Sequence, residues 1–123
     1  MAAEAIREQI LIHTEQEIPY SSTVVVERFE ELPKLTRVAA TIYCERNSQK
    51  GILVGKGGQM LKKIGTEARM QIQKMLGTKV FLELFVKVQP GWQDSRQFVD
   101  ELDWRRQLEN LGGKPDRTKG EEA

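Results

Sequence analysis

The chain has 123 residues, 39% of them hydrophobic, a net charge of +1 and a single cysteine. That length holds one domain with a real core and falls short of two ordinary ones, and no run approaches the roughly 20 apolar residues of a membrane span. The lone Cys44 excludes an internal disulfide or a multi-cysteine zinc site, and the start Met1-Ala2-Ala3-Glu4-Ala5 lacks the basic and apolar regions of a signal peptide, so a cytoplasmic protein is expected.

From Ala3 to Gln16, Ala3, Ile6, Ile10 and either His13 or Thr14 recur at helical spacing, with Glu4, Arg7, Glu8 and Glu15 elsewhere on the wheel. An amphipathic helix follows from this, and Pro19 bars its continuation. His13, the sole histidine, has no second ligand type at metal spacing; it is expected to be structural or exposed, and no metal site is expected. Ser22 to Phe29 is β-branched and aromatic and predicts a strand, and Glu30 to Lys34 predicts a turn. In the second strand, Arg37 to Glu45, Val38, Ala40, Ile42 and Cys44 face one way and Ala39, Thr41 and Tyr43 the other. The two strands are expected to pair as a hairpin, with Cys44 packed on the apolar face rather than acting as a nucleophile.

Asn47 to Lys50 reads as a polar turn, and Ile52 to Val54 as one turn of helix before a glycine-rich loop. A longer helix is predicted from Gln59 to Leu76, with Leu61, Ile64, Ala68, Ile72 and Met75 at offsets of three and four and Gly77 as its stop. Gly65 inside it costs roughly 1 kcal/mol relative to alanine, which implies close packing against a neighbouring backbone. Lys79 to Val88 alternates again as a third strand, and its connection to the second is a crossover that favours a parallel pair. Beyond Pro90-Gly91, Trp92 is expected to cap the sheet and Ser95 to Leu111 to be helical, whereas Gly112 to Ala123 lacks the apolar residues for a core and reads as mobile. The division expected is a domain over 1–103 and a C-terminal helical extension with a mobile tail over 104–123.

Function is expected at the loop Gly55-Lys56-Gly57-Gly58. Glycines there permit positive φ and close approach of another chain, and the helix that follows directs free N–H groups and its positive dipole end to the same spot. The charge is gathered around it. Between Arg46 and Lys79 eight basic residues face Glu67 alone, a local +7 inside a total of +1, the footprint expected for a polyanionic partner. A nucleotide triphosphate, a dinucleotide or a nucleic-acid backbone would each suit such a loop, and spacing decides among them. A P-loop needs four residues between its glycines and Ser or Thr after Gly-Lys; here three residues separate Gly51 from Gly55, and Gly57 stands where the hydroxyl belongs. The dinucleotide fingerprint needs glycine where Met60 stands. What remains is Val54-Gly55-Lys56-Gly57-Gly58 with Leu61 and Ile64 behind it, which is similar to the G-x-x-G signature of KH domains.

More specific words accompany it: Arg7-Glu8-Gln9-Ile10, Glu17-Ile18-Pro19-Tyr20-Ser21, Lys62-Lys63-Ile64-Gly65-Thr66-Glu67-Ala68-Arg69, Val80 through Val88, and Trp92. Together, over about residues 3 to 103, they resemble the C-terminal KH domain of the Era family of bacterial GTPases. The resemblance implies an α+β, type II KH fold, a three-stranded mixed sheet with helices packed on one face. It also implies a module that grips single-stranded ribosomal RNA near the 3′ end of the small-subunit rRNA and acts in small ribosomal subunit assembly. By position, Gly55, Lys56, Gly57 and Gly58 would contact phosphates, Lys62 and Lys63 would add charge, and whichever of Ile52, Leu53, Val54, Leu61 and Ile64 are not buried would line a groove for bases. The family's GTPase domain, N-terminal in the parent protein, has no counterpart motif here, so no catalytic residue, metal or cofactor is expected in this chain. The resemblance leaves open a peripheral contact with membrane.

Two other classes of function compete. One is a KH module from another RNA-binding protein, such as a ribosomal protein or a transcription elongation factor, which should lack the Glu17-Ile18-Pro19-Tyr20 and Trp92 words. The other is a protein-interaction module. A small enzyme is disfavoured, because one His and one Cys on different elements supply no general acid–base pair.

Overall fold

The computed structural model describes residues 1–14 and 18–92. In chain order these form α1 (Ala2–His13), α2 (Ile18–Ser21), β1 (Ser22–Glu31), β2 (Thr36–Cys44), α3 (Asn47–Val54), a 3₁₀ turn over Lys56–Gly58, α4 (Gln59–Leu76) and β3 (Val80–Val88). The sheet has the order β1-β2-β3, with β1 antiparallel and β3 parallel to β2. It is therefore a mixed sheet, and the α3–α4 segment is the crossover that parallel pairing demands.

One face of the sheet carries the core. Val24 and Val26 of β1, Val38, Ala40, Ile42 and Cys44 of β2, and Val80 and Val86 of β3 are buried with Ile6 and Ile10 of α1, Leu53 of α3 and Ile64, Ala68 and Ile72 of α4. Each large aliphatic side chain so buried contributes about 1.5–3 kcal/mol. The alternation expected along β2 is present, with Cys44 on the inner side. The second strand starts earlier and the first runs later than their patterns suggest, and a bulge between Val26 and Arg28 inserts Glu27 into β1 and shifts its phase. That shift brings Phe29 opposite Val38, where it packs against the core although it is an odd-numbered residue like Thr23 and Val25, which are buried on the opposite face. On the other face Phe81 and Phe85 are half-exposed, and the Arg37 guanidinium lies 5.9 Å from the centre of the Phe81 ring.

Three local details depart from the sequence pattern. α1 ends at His13 rather than Gln16, because Thr14 is extended (φ −120°, ψ 172°) and turns both its N–H and its hydroxyl onto the Ile10 carbonyl, at 2.9 and 2.6 Å. Asn47 to Lys50 is not a turn but the first half of a continuous α3. In α4 the apolar stripe ends differently: Met75 is 50% exposed, and Leu76 packs against the core in its place. The rest of that helix runs over the span expected, with Gly77 in the left-handed region (φ 70°) returning its N–H to the Gln73 carbonyl at 2.8 Å. At the far end of the sheet Trp92 is half-buried and its indole N–H reaches the Ser21 carbonyl at 3.4 Å, joining the start of β1 to the chain leaving β3. The segment from Ser95 to Leu111, the tail, and the division at residue 104 lie outside the described residues.

These placements predict a contrast on α4. Ile72→Ala removes a fully buried side chain and should cost about 2–5 kcal/mol of unfolding free energy, whereas Met75→Ala should stay within about 0.5 kcal/mol. Urea unfolding of the two variants measures both; equal losses would mean that the helix is rotated from the face described.

Candidate nucleic-acid interface

The glycine loop is presented by α3, and α3 is held by one buried glutamine. The Gln49 side-chain carbonyl accepts the N–H groups of Glu45 and Arg46 at 2.9 and 3.0 Å, the glutamine half of a capping box. Arg46 has no acceptor in its side chain, so the reciprocal bond is made by its backbone carbonyl, which accepts Gln49 N–H at 3.1 Å. The Gln49 amide also donates to Ser21 Oγ at 3.0 Å, tying the start of α3 to the α2–β1 junction.

At the other end of α3 the chain reverses at Gly55 (φ 78°, ψ 174°), a conformation open essentially to glycine alone. A Cβ there would stand 2.6 Å from Met60 Cβ and 2.8 Å from Met60 N, so the start of α4 is folded directly against this glycine. Lys56 and Gly57 at the tip are exposed. The bonds that fix the loop are donated by Gly55 to Gly51 O, Gly58 to Gly55 O and Gln59 to Lys56 O, and the N–H groups of Lys56 and Gly57 take no part in them. Lys56, Lys62 and Lys63 form no ion pair among the described residues. The tip thus combines free charge with the positive end of α4.

Beside the loop, α4 and the edge strand β3 enclose a groove of about 360 Å³, lined by Gly58, Leu61, Lys62, Gly65, Thr66 and Arg69 on the helix and Leu82 and Leu84 on the strand. Its size falls in the lower part of the range usual for ligand sites. Gly65 forms part of its wall: a Cβ there would touch Leu84 Cδ1 at 3.4 Å, so the close neighbour is a side chain, not the backbone expected from the sequence. The ladder to β2 runs from Thr36 N–H on Lys79 O to Gln89 N–H on Cys44 O. In that parallel register the even residues of β3 turn their N–H and C=O outward. The outward N–H of Val80 is taken by Gln73 Oε1 at 3.1 Å, while those of Leu82 and Leu84, which line the groove, point away from β2 in the same register. An extended chain laid there would meet donors and acceptors from the strand, apolar contacts from three leucines, and cations from the helix.

The residues expected from the sequence divide accordingly. Gly58, Leu61 and Lys62 line the groove, Lys56 and Gly57 form the tip, Gly55 makes the reversal, and Lys63 is exposed nearby. Ile52 is exposed on α3, and Val54 is half-buried against the core. Leu53 and Ile64 have no exposed surface, which corrects their inclusion as contact residues: both side chains are core, and they act on the site only by seating α3 and α4. Gly65, Thr66, Arg69, Leu82 and Leu84 were missed. On α4 a signal existed, since Gly58, Leu61, Lys62, Gly65, Thr66 and Arg69 form a stripe at helical spacing beside the core stripe; nothing in the sequence alone pairs it with the edge of β3. Cys44 is buried, burial pushes its thiol up, and it stays protonated and unreactive at neutral pH.

Comparison with known proteins bears on this geometry. The sequence model of the KH domain family matches residues 17–93. The chain is 59% identical over 102 residues to the GTPase Era of Nostoc sp. and 48% identical over 102 residues to that of Coxiella burnetii, covering 83% of this chain in each case. It spans about a third of the length of the curated relatives it matches, 32% and 35% in these two. Among solved structures it is similar to Era in complex with MgGDPNP and nucleotides 1506–1542 of 16S ribosomal RNA (TM-score 0.79, 35% identity, 84% of this chain and 35% of that one). It is also similar to a variant of Aquifex aeolicus Era bound to GDP and tetrafluoroaluminate (TM-score 0.78, 35% identity, 84% and 35%). With its extra helix and hairpin strand before the loop and its third strand parallel to the second, the chain belongs to the KH domain family, in the type II form, and the relatives it matches are Era GTPases.

Proposed function

We propose that this chain is the RNA-binding part of an Era-like GTPase and that it holds single-stranded ribosomal RNA, in the region of the small-subunit rRNA 3′ end, during small ribosomal subunit assembly. The observation that carries this is the continuity of an exposed, cationic glycine turn with an apolar groove whose second wall is a strand edge left unpaired among the described residues. Phosphates would sit on the tip, near Lys56, Gly57 and Gly58, in the manner of the G-x-x-G clamp on about four nucleotides. Splayed bases would follow the groove between Leu61 and the two leucines of β3. The relative solved with 16S rRNA nucleotides supports the choice of partner.

Beyond RNA, the partners proposed are the small ribosomal subunit and a GTPase domain preceding this module in the parent protein, in a cytoplasmic setting. Any contact with membrane is proposed as peripheral; no helix among the described residues is long and apolar enough to cross one. The chain by itself is proposed to have no catalytic residue, cofactor or metal of its own.

Replacing Lys56 and Gly57 together by aspartate tests the site. No atom lies within 4 Å of where a Gly57 Cβ would stand, and aspartate is among the residues that tolerate its left-handed conformation (φ 61°). The doubly substituted protein should melt close to the parent yet lose RNA binding in a gel-shift titration; unchanged affinity would remove the loop from the site.

For the isolated chain, calorimetric titration with Mg²⁺ and GTP should give no saturable heat, because the loop lacks both the spacing and the hydroxyl of a P-loop. Saturable binding in the micromolar range would contradict this.

A further inference from the structure

Arg69 stands apart from the phosphate grip. It follows Gly58 by eleven residues of helix, about 16 Å along the axis at 1.5 Å per residue, at the end of the groove away from the charged tip. It shares the lining with Gly65 and Thr66, four and three residues earlier on the same helix, and with Leu82 and Leu84 of the strand. Its guanidinium is also fixed before any ligand arrives. Nη1 donates to Gln73 Oε1 at 3.0 Å, and the same oxygen accepts the outward N–H of Val80 at 3.1 Å, so the strand edge holds Gln73 and Gln73 holds Arg69. A half-buried arginine whose guanidinium is anchored at one nitrogen has lost part of its rotamer freedom already and retains donors with defined directions.

We propose that Arg69 is a specificity-determining residue of the groove, reading one base through a pair of adjacent acceptors, and that Gln73 is its positioning residue. This rests on the RNA-binding function proposed above and names the base chemistry that function selects. A guanidinium offers donors and no acceptor. It matches an edge carrying two acceptors side by side, O6 and N7 of guanine or O2 and N3 of cytosine, and it mismatches the donor N6 of adenine or N3–H of uracil. A guanidinium directed at a phosphate would be indifferent to the base.

The test uses fluorescence anisotropy with labelled uridine octamers in which each position in turn carries cytosine, guanine or adenine. The wild-type chain should show one position at which cytosine or guanine binds roughly tenfold tighter than uracil or adenine. Arg69→Gln should erase that preference, so that all four bases at that position bind within about twofold of one another, with the salt slope unchanged. Arg69→Lys, which keeps the charge but not the fork, should also lose most of the preference, and Gln73→Leu should weaken it with Arg69 still present. If Arg69→Gln weakens all octamers by one common factor and lowers the salt slope by about one, Arg69 is a phosphate contact and the proposal is overturned while the RNA-binding function stands. If the wild-type chain binds no octamer at all, it is the RNA-binding function that fails.

Discussion

The reversal at Gly55 is the constraint from which the site follows. Because Met60 lies where a side chain would be, with only 2.6 Å to a Cβ at position 55, α3 and α4 approach each other closely enough for Lys56 and Gly57 to project as a bare tip. The same reversal aims the start of α4 at that tip, adding its dipole to the charge of Lys56. It also sets the line of α4 across the sheet, so that one stripe of the helix, Ile64, Ala68 and Ile72, is buried and the adjacent stripe is left beside the edge of β3. Loop, groove and core are thus three consequences of one turn, and Gln49 fixes its other side by anchoring α3 to Ser21.

Among the described residues the outer edge of β3 is unpaired, and that is a cost the fold accepts. An unpaired strand edge invites pairing with other chains, and proteins commonly cover it or charge it. Here, among the described residues, Gln73 takes one outward N–H, and Lys62 and Arg69 of α4 line the approach to Leu82 and Leu84. Gly65 fits the same pattern. Alanine would make a better helix by roughly 1 kcal/mol, but its methyl would stand 3.4 Å from Leu84 and narrow the groove. At Gly65 helix stability is exchanged for width of the groove, and the fully buried isoleucines Ile64 and Ile72 hold the helix in place.

Much of this architecture was legible because it is periodic or punctuated. The stripe of α4, its stop at Gly77, the alternation of β2 and β3 and the parallel crossover follow from spacing, and the charge gathered between Arg46 and Lys79 points to the loop. What escaped depends on contacts between distant segments. Asn47 to Lys50 is polar and looks like a turn, yet it is helical because Gln49 finds Ser21, 28 positions earlier. The bulge at Glu27 has no local signature. Half the groove was invisible for the same reason: Leu82 and Leu84 read as ordinary inward strand residues until α4 is laid beside them. Leu53 and Ile64 erred the other way, since apolar residues framing a loop look alike whether they face a ligand or the core.

On the function proposed, apolar side chains beside the grip make this a receptor for unpaired bases and not a charge patch. An A-form duplex hides its base faces and offers mainly phosphates and 2′-hydroxyls, so Leu61, Leu82 and Leu84 gain nothing from it. A patch of cations alone would bind both forms, with an affinity that falls steeply with salt. The most direct measurement is therefore a salt titration of binding to a short oligonucleotide from the small-subunit rRNA 3′ end, free and annealed to its complement. The single strand should bind more tightly and keep part of that advantage as salt rises; equal affinity for both forms across the titration would contradict the account.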